Sequence, residues 1–225
     1  MNDIDATAVA KPLRVTLARC RTYALLAQGF RYPDERTFSH LADGSFSEEL
    51  LAAIEGCGPE LRGALNSAPE LSIGCSSDEL QSAYLSAFET GMPDPSASLY
   101  EGSHANRENR PGLLLELKGF YGNFGLQMAA AANDLEDTLT AELEFMQFLT
   151  AKQLQAESDG LEPRDYLWAQ RDFLMRHLAV WLPRLETEIA AKVKEPFYLA
   201  LAKLAAVFVA HESEVVRIAS EQFNI

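Results

Sequence analysis

Apolar residues recur along this chain at the three- and four-residue spacing of amphipathic helices, and no stretch sustains the alternation of a strand. Leu17, Cys20, Ala24, Leu25 and Ala27 form one helical face within Leu13 to Phe30, which Gly29 and Pro33 should end. Shorter helices are predicted from Asp34 to Leu41 and from Ser47 to Ile54, the second capped by Ser47 and stopped by Gly56-Cys57-Gly58-Pro59. Ser77-Asp78-Glu79 opens a helix with Leu80, Tyr84, Leu85 and Phe88 along one side. Leu113, Leu114, Leu117, Phe120, Tyr121 and Phe124 mark another, ending near Gly125. Between the two, residues 90–110 are Gly-, Pro- and Ser-rich without periodicity, and predict a long central loop that acts as a hinge or binding element.

The second half continues the pattern. Thr138 or Asp137 should cap a helix running from about Asp137 to Glu157, with Leu139, Leu143, Met146 and Leu149 as its buried stripe. Pro163 suits the first turn of the next helix, whose inner side carries Tyr166, Phe173, Leu174, Leu178 and Trp181 and which Pro183 should kink or end. A last long helix starts near Pro196 and carries Phe197, Leu201, Leu204, Phe208 and Val215. The fold class read from these periods is all-α: a single-domain helical bundle of about nine helices. Residues 1–12 are expected to be a flexible N-terminus and 13–225 the folded domain.

With 225 residues, 48% hydrophobic and 23% charged, the chain can bury one substantial core without metals or disulfides. Its formal net charge of −14 disfavours nucleic acid as a partner and suits basic or unfolded ones. Cys20, Cys57 and Cys75 are odd in number and lie far apart, so reduced cysteines are expected and a Cys-x-x-Cys site is not. Neither a signal peptide nor an apolar run of about 20 residues is present, which gives the expectation of a soluble, cytoplasmic protein.

Candidate chemistry is sparse. Glu101-Gly-Ser-His104 has Glu-x-x-His spacing but lacks the second such motif of a di-iron bundle, and His211-Glu212 lacks the second histidine of a zinc hydrolase. His177, beside Leu178 on an apolar face, reads as a hydrogen-bonded structural histidine. No phosphate-cradling glycine loop occurs. Catalytic residues, cofactors and metals are therefore each expected to be none.

Three separated elements together resemble a known family. Glu136-Asp137-Thr138-Leu139 leading into Glu142-Leu143-Glu144-Phe145-Met146, then Phe173-x-x-x-His177-Leu178-x-x-Trp181, then Pro196-Phe197-Tyr198-x-x-Leu201-Ala202, are similar in order and spacing to the TorD/DmsD/NarJ family of redox-enzyme maturation chaperones. Tyr23 to Ala27, Tyr32-Pro33-Asp34 and Tyr100-Glu101 extend the resemblance from about Arg19 to Glu212. It implies a non-enzymatic, cytoplasmic, all-helical chaperone, monomeric or homodimeric. Such a protein binds the apo-catalytic subunit of a molybdenum-cofactor oxidoreductase, its twin-arginine signal peptide, or both, and assists cofactor insertion before export. An arginine pair followed by an apolar stretch needs carboxylates beside a hydrophobic groove. On this reading Tyr100, Glu101, Glu136, Asp137, Thr138, Phe88 and Leu99 form the client-binding surface. Substituting Asp137 or Glu101 should then weaken client binding more than stability. Thr138 stands where the family commonly carries histidine, so that histidine's role does not transfer. The competing expectations are a small-ligand or guanine-nucleotide-binding helical protein, and a metal-dependent enzyme built around His104.

Overall fold

The computed structural model describes residues 6–90, 95–104, 110–128 and 134–223. Among them the architecture is all-α, without a strand; the only β-type pairing is an isolated antiparallel bridge between Tyr100 and Thr138. Ten α-helices occur in chain order: α1 Ala6–Gly29, α2 Glu35–Ala42, α3 Ser45–Cys57, α4 Ser77–Tyr84, α5 Glu101–His104, α6 Arg110–Asn123, α7 Leu139–Ser158, α8 Arg164–Arg176, α9 Leu178–Lys192 and α10 Pro196–Glu221. A 3-10 segment, Pro59–Leu71, links α3 to α4, and a π-helical turn, Leu85–Glu89, extends α4.

Helices α1 and α7 are the central pair, flanked by α3 on one side; α10 closes the other side against α8, α9 and the 3-10 segment. Tyr23, Phe30, Phe46, Phe173, Trp181, Phe197, Tyr198 and Phe208 are all buried in the resulting core. Each such side chain contributes about 1.5–3 kcal/mol on leaving water. Tyr23 meets Phe208 edge-on at 4.8 Å, locking α1 to α10. Gly29 permits this closeness: a Cβ there would lie 2.8 Å from Leu201 Cδ2 and 3.0 Å from Phe46 Cζ.

One polar cluster crosses this core. The Arg19 guanidinium donates through Nε to both oxygens of Glu212 at 2.8 Å, to Gln153 Oε1 at 3.1 Å and to Gln170 Oε1 at 2.7 Å. Gln170 in turn donates to Gln153 at 2.9 Å, and all four side chains are buried. A guanidinium can leave water here because each of its three nitrogens donates to an acceptor on a different helix.

Several boundaries differ from the periodicity. Helix α1 begins at Ala6, ahead of the expected Leu13, and runs through Pro12; the missing N–H costs one rung of the ladder. Helix α3 starts at Ser45 because Asp43 accepts the Ser45 N–H at 2.9 Å, which removes the need for a cap at Ser47. The expected single helix through Trp181 is two, broken at His177, while Pro183 lies inside α9. Val216 is buried in α10 in the place expected of Val215. Within the expected loop, residues 95–104 are ordered and include α5; residues 91–94 and 105–109 of that loop, and 1–5 of the expected flexible terminus, lie outside the described residues.

Candidate functional site

The segment 95–104 and the turn before α7 are stitched together by backbone hydrogen bonds. Glu101 N–H donates to Asp137 C=O and Leu139 N–H to Leu99 C=O, each at 2.8 Å, while Ala97 N–H reaches Ala87 C=O at 2.9 Å. Thr138 caps α7 by accepting the Ala141 N–H at 3.2 Å. The Asp137 carboxylate, fully buried, accepts the Gly102 N–H at 3.1 Å and holds the Arg110 guanidinium at 3.1 Å. Gly102 is needed for this approach, since a Cβ would lie 2.7 Å from Asp137 Oδ2. Arg110 also stands over the Tyr100 ring, 5.5 Å from its centroid.

Behind the seam lies a second polar layer. Glu101 accepts from His177 Nδ1 at 3.1 Å, and His177 Nε2 faces the Glu116 carboxylate at 3.3 Å. Phe120 and Phe173 flank the imidazole at 5.3 and 5.2 Å, so the α8–α9 break sits where the histidine is held. Trp181 Nε1 donates to Glu142 Oε2 at 3.0 Å and stacks on His104 at 5.2 Å. The other Glu142 oxygen is buried without a partner among the described residues. Burial, and then the charge of Glu101, hold the Glu142 carboxyl well above the usual range, which favours its protonated form.

That raised value makes a prediction. A proton bound more tightly in the folded state gives stability that is complete below the unfolded value of about 4.3 and is lost as pH rises towards the folded one. In urea denaturation from pH 4 to 8, this group's contribution to the unfolding free energy should therefore decline, by at most about 1.4 kcal/mol per pH unit. Glu142→Gln, permanently neutral, should flatten that part of the profile; an unchanged slope would show that Glu142 is not its source.

The outer face of the seam is open. A groove of about 580 Å3 runs between the segment 95–104, the end of α1 and the start of α7. Tyr32, Tyr84, Tyr100, Leu99 and Thr138 line it together with three carboxylates, Glu89, Asp134 and Glu144, and one cation, Arg31. Tyr100 Oη donates to Asp134 at 3.3 Å. Burial and the neighbouring Asp134 push the Glu89 carboxyl up, and burial with the Asp134 and Glu89 charges pushes the Tyr100 phenol up to about 12. The groove therefore carries negative potential. It continues, through the shared residues Gln127, Met128, Ala141 and Glu144, into a largely apolar bay of about 240 Å3 formed by Tyr121, Leu126, Phe145 and Phe148.

The seven residues expected at a client surface divide accordingly. Tyr100, Leu99 and Thr138 line the groove. Asp137 and Glu101 are buried behind it, bound to Arg110 and His177, and Glu136 is buried with Lys118 at 3.2 Å. Phe88 packs in the core against Tyr84 and Tyr198 at 5.1 and 5.0 Å. Glu89, Asp134, Glu144, Arg31 and the Phe145–Phe148 bay were missed. Glu89 ends a π-helical turn and Asp134 lies outside any helix, so periodicity could not say which way either faces. The spacing of Phe145 and Phe148 on α7 was a signal that could have been used.

Comparisons with known proteins find relatives over most of the chain. The family profile described as nitrate reductase delta subunit matches residues 57–187. The perchlorate reductase assembly chaperone protein of Dechloromonas aromatica is 52% identical over 219 residues, covering 96% of this chain and 98% of that protein. The selenate reductase assembly chaperone protein of Thauera selenatis and the chlorate reductase assembly chaperone protein of Ideonella dechloratans are 33% and 30% identical, each over 75% of both chains. With a profile covering more than half of its length and a relative matched from end to end, the chain belongs to the NarJ/TorD-type family of reductase assembly chaperones.

Proposed function

We propose that this protein is a cytoplasmic, system-specific chaperone for the catalytic subunit of a molybdenum-cofactor oxidoreductase. In this role it holds the apo-subunit, through a basic-then-apolar segment such as a twin-arginine signal peptide, until cofactor insertion precedes export. The observation that carries the proposal is the two-part groove: carboxylates among tyrosines at one end, an aromatic bay at the other. Guanidinium groups pair with the first and stack on its rings, and apolar side chains are buried by the second. Among the described residues no strand offers a sheet edge, and the proposal assigns recognition to side chains. Tyr100, Leu99 and Thr138 contact the client in this proposal; Asp137, Glu101, Glu136 and Phe88 hold the groove wall in place. The proposal assigns the chain no catalysis, and the molybdenum cofactor belongs to the client.

Perchlorate reductase, named for the 52% identical relative, is the first client to try. A tagged apo-catalytic subunit of such an enzyme should co-purify with this chain, and its molybdenum content should drop when the chaperone is deleted. Undiminished cofactor loading would overturn the proposal. Asp137→Asn keeps the side-chain volume but discards the charge that holds Arg110 and Gly102. It is expected to weaken client capture by about tenfold, equivalent to about 1.4 kcal/mol. Unchanged capture by a folded Asp137→Asn protein would remove the seam from the binding surface. Because Glu101 is buried against His177, Glu101→Ala should cost stability as well as binding.

A further inference from the structure

The groove contains a cation of its own. Arg31, two residues beyond the end of α1, crosses to bond the Glu144 carboxylate. Among the described residues that line the groove it is the only positively charged side chain, against Glu89, Asp134 and Glu144. Glu144 is also the carboxylate shared between the acidic groove and the apolar bay, so Arg31 is bound at their junction. The two guanidinium–carboxylate pairs of this region differ in kind. Arg110–Asp137 is anchored on a fully buried carboxylate, whereas the Arg31 and Glu144 side chains are 56% and 46% exposed. An exposed pair of this sort contributes little net stability and exchanges freely.

We infer that Arg31 is a resident guanidinium that pairs with Glu144 and is displaced by an incoming client guanidinium, and that it sets the groove's selectivity. This rests on the groove reading above. The physical consequence is a threshold. While Arg31 is in place, a cation gains access to Glu144 only by replacing a guanidinium on it. A second guanidinium can do so one for one, with the same planar fork of donors; an ammonium, a strongly hydrated point charge without that fork, replaces it poorly. Affinity for all cationic segments is lowered, and it is lowered most for those without arginine, which is how an occupied site rejects the wrong ligand. Glu89 and Asp134 supply attraction at the entrance, and Arg31 supplies discrimination at the junction.

The test is a double-mutant cycle on the full chain with Arg31→Gln, Glu144→Gln and the combined variant. Both side chains are on the surface, and circular dichroism would confirm that each variant remains folded. The probe is a synthetic fluorescent peptide carrying an arginine pair followed by about ten leucine and alanine residues, with a lysine-pair version as comparison. Arg31→Gln is expected to bind the arginine peptide about three- to fivefold more tightly, the scale of an exposed ion pair, and to lose most of the preference for arginine over lysine. In the Glu144→Gln background the same substitution should change neither quantity. Equal tightening in that background would reduce Arg31 to a general contribution to the surface potential and overturn the exchange, as would weaker binding by Arg31→Gln. If no variant binds either peptide although the chaperone still captures the catalytic subunit, the groove reading itself fails and takes the exchange with it. Peptide binding with a flat cycle removes the exchange alone.

Discussion

Arg19→Met is expected to lower folding stability by about 3–5 kcal/mol, the cost of leaving the partner of a buried ion pair without compensation. The carboxylate of Glu212, wholly buried, takes both of its 2.8 Å hydrogen bonds from Arg19 Nε. Gln153 and Gln170 lose a donor but retain their bond to each other at 2.9 Å. The penalty should thus be concentrated at Glu212. Pairing Arg19→Met with Glu212→Leu removes the stranded charge and should restore at least about 2 kcal/mol of the loss. Urea denaturation of the two single variants and the double variant measures this directly. A loss below about 1 kcal/mol in Arg19→Met, the range of exposed pairs, would mean that water reaches the cluster.

Trp181→Ala should be nearly as damaging, at about 3–5 kcal/mol, because the largest side chain of the core is removed. Trp181 is 2% exposed, lies against His104 at 5.2 Å and is the donor to Glu142. Trp181→Phe separates the two contributions. It keeps most of the ring and loses the N–H, so its cost should be nearer to about 1–3 kcal/mol, that of a buried polar group left unsatisfied. Equal losses in the two variants would assign the whole effect to the hydrogen bond. Client capture should decline with stability in both, in contrast with Asp137→Asn, where capture should be lost first.

Much of the fold was legible because burial follows helical spacing. Leu139, Leu143, Met146 and Leu149, picked out by period alone, are all fully buried, and Thr138 caps the helix they lie on. The same reading places Glu142 among polar positions, yet it is fully buried. Its partner Trp181 is 39 residues away, and no local pattern encodes such a pairing. His177 was readable as a hydrogen-bonded histidine, but the helix break at that residue was not; Pro183 is the stronger breaker on local grounds, and tertiary contacts with Glu101 and Glu116 accompany the break six residues earlier. The candidate site was half legible. The seam between Tyr100 and Thr138 was located from the resemblance, whereas two of the groove's three acids, Glu89 and Asp134, come from a π-helical turn and an irregular segment, which have no period to read.

The Arg19 cluster also has a meaning in time. Its two charged members are separated by 193 residues of chain, and α1 is synthesised long before α10. At about 5–20 residues per second on the ribosome, roughly 10–40 s pass between the appearance of the guanidinium and that of its carboxylate. During that interval the central α1–α7 pair cannot be sealed without stranding a charge in apolar surroundings. The bundle is therefore expected to stay ajar on its α10 side until that helix emerges, which would make this chaperone a late-closing nascent chain.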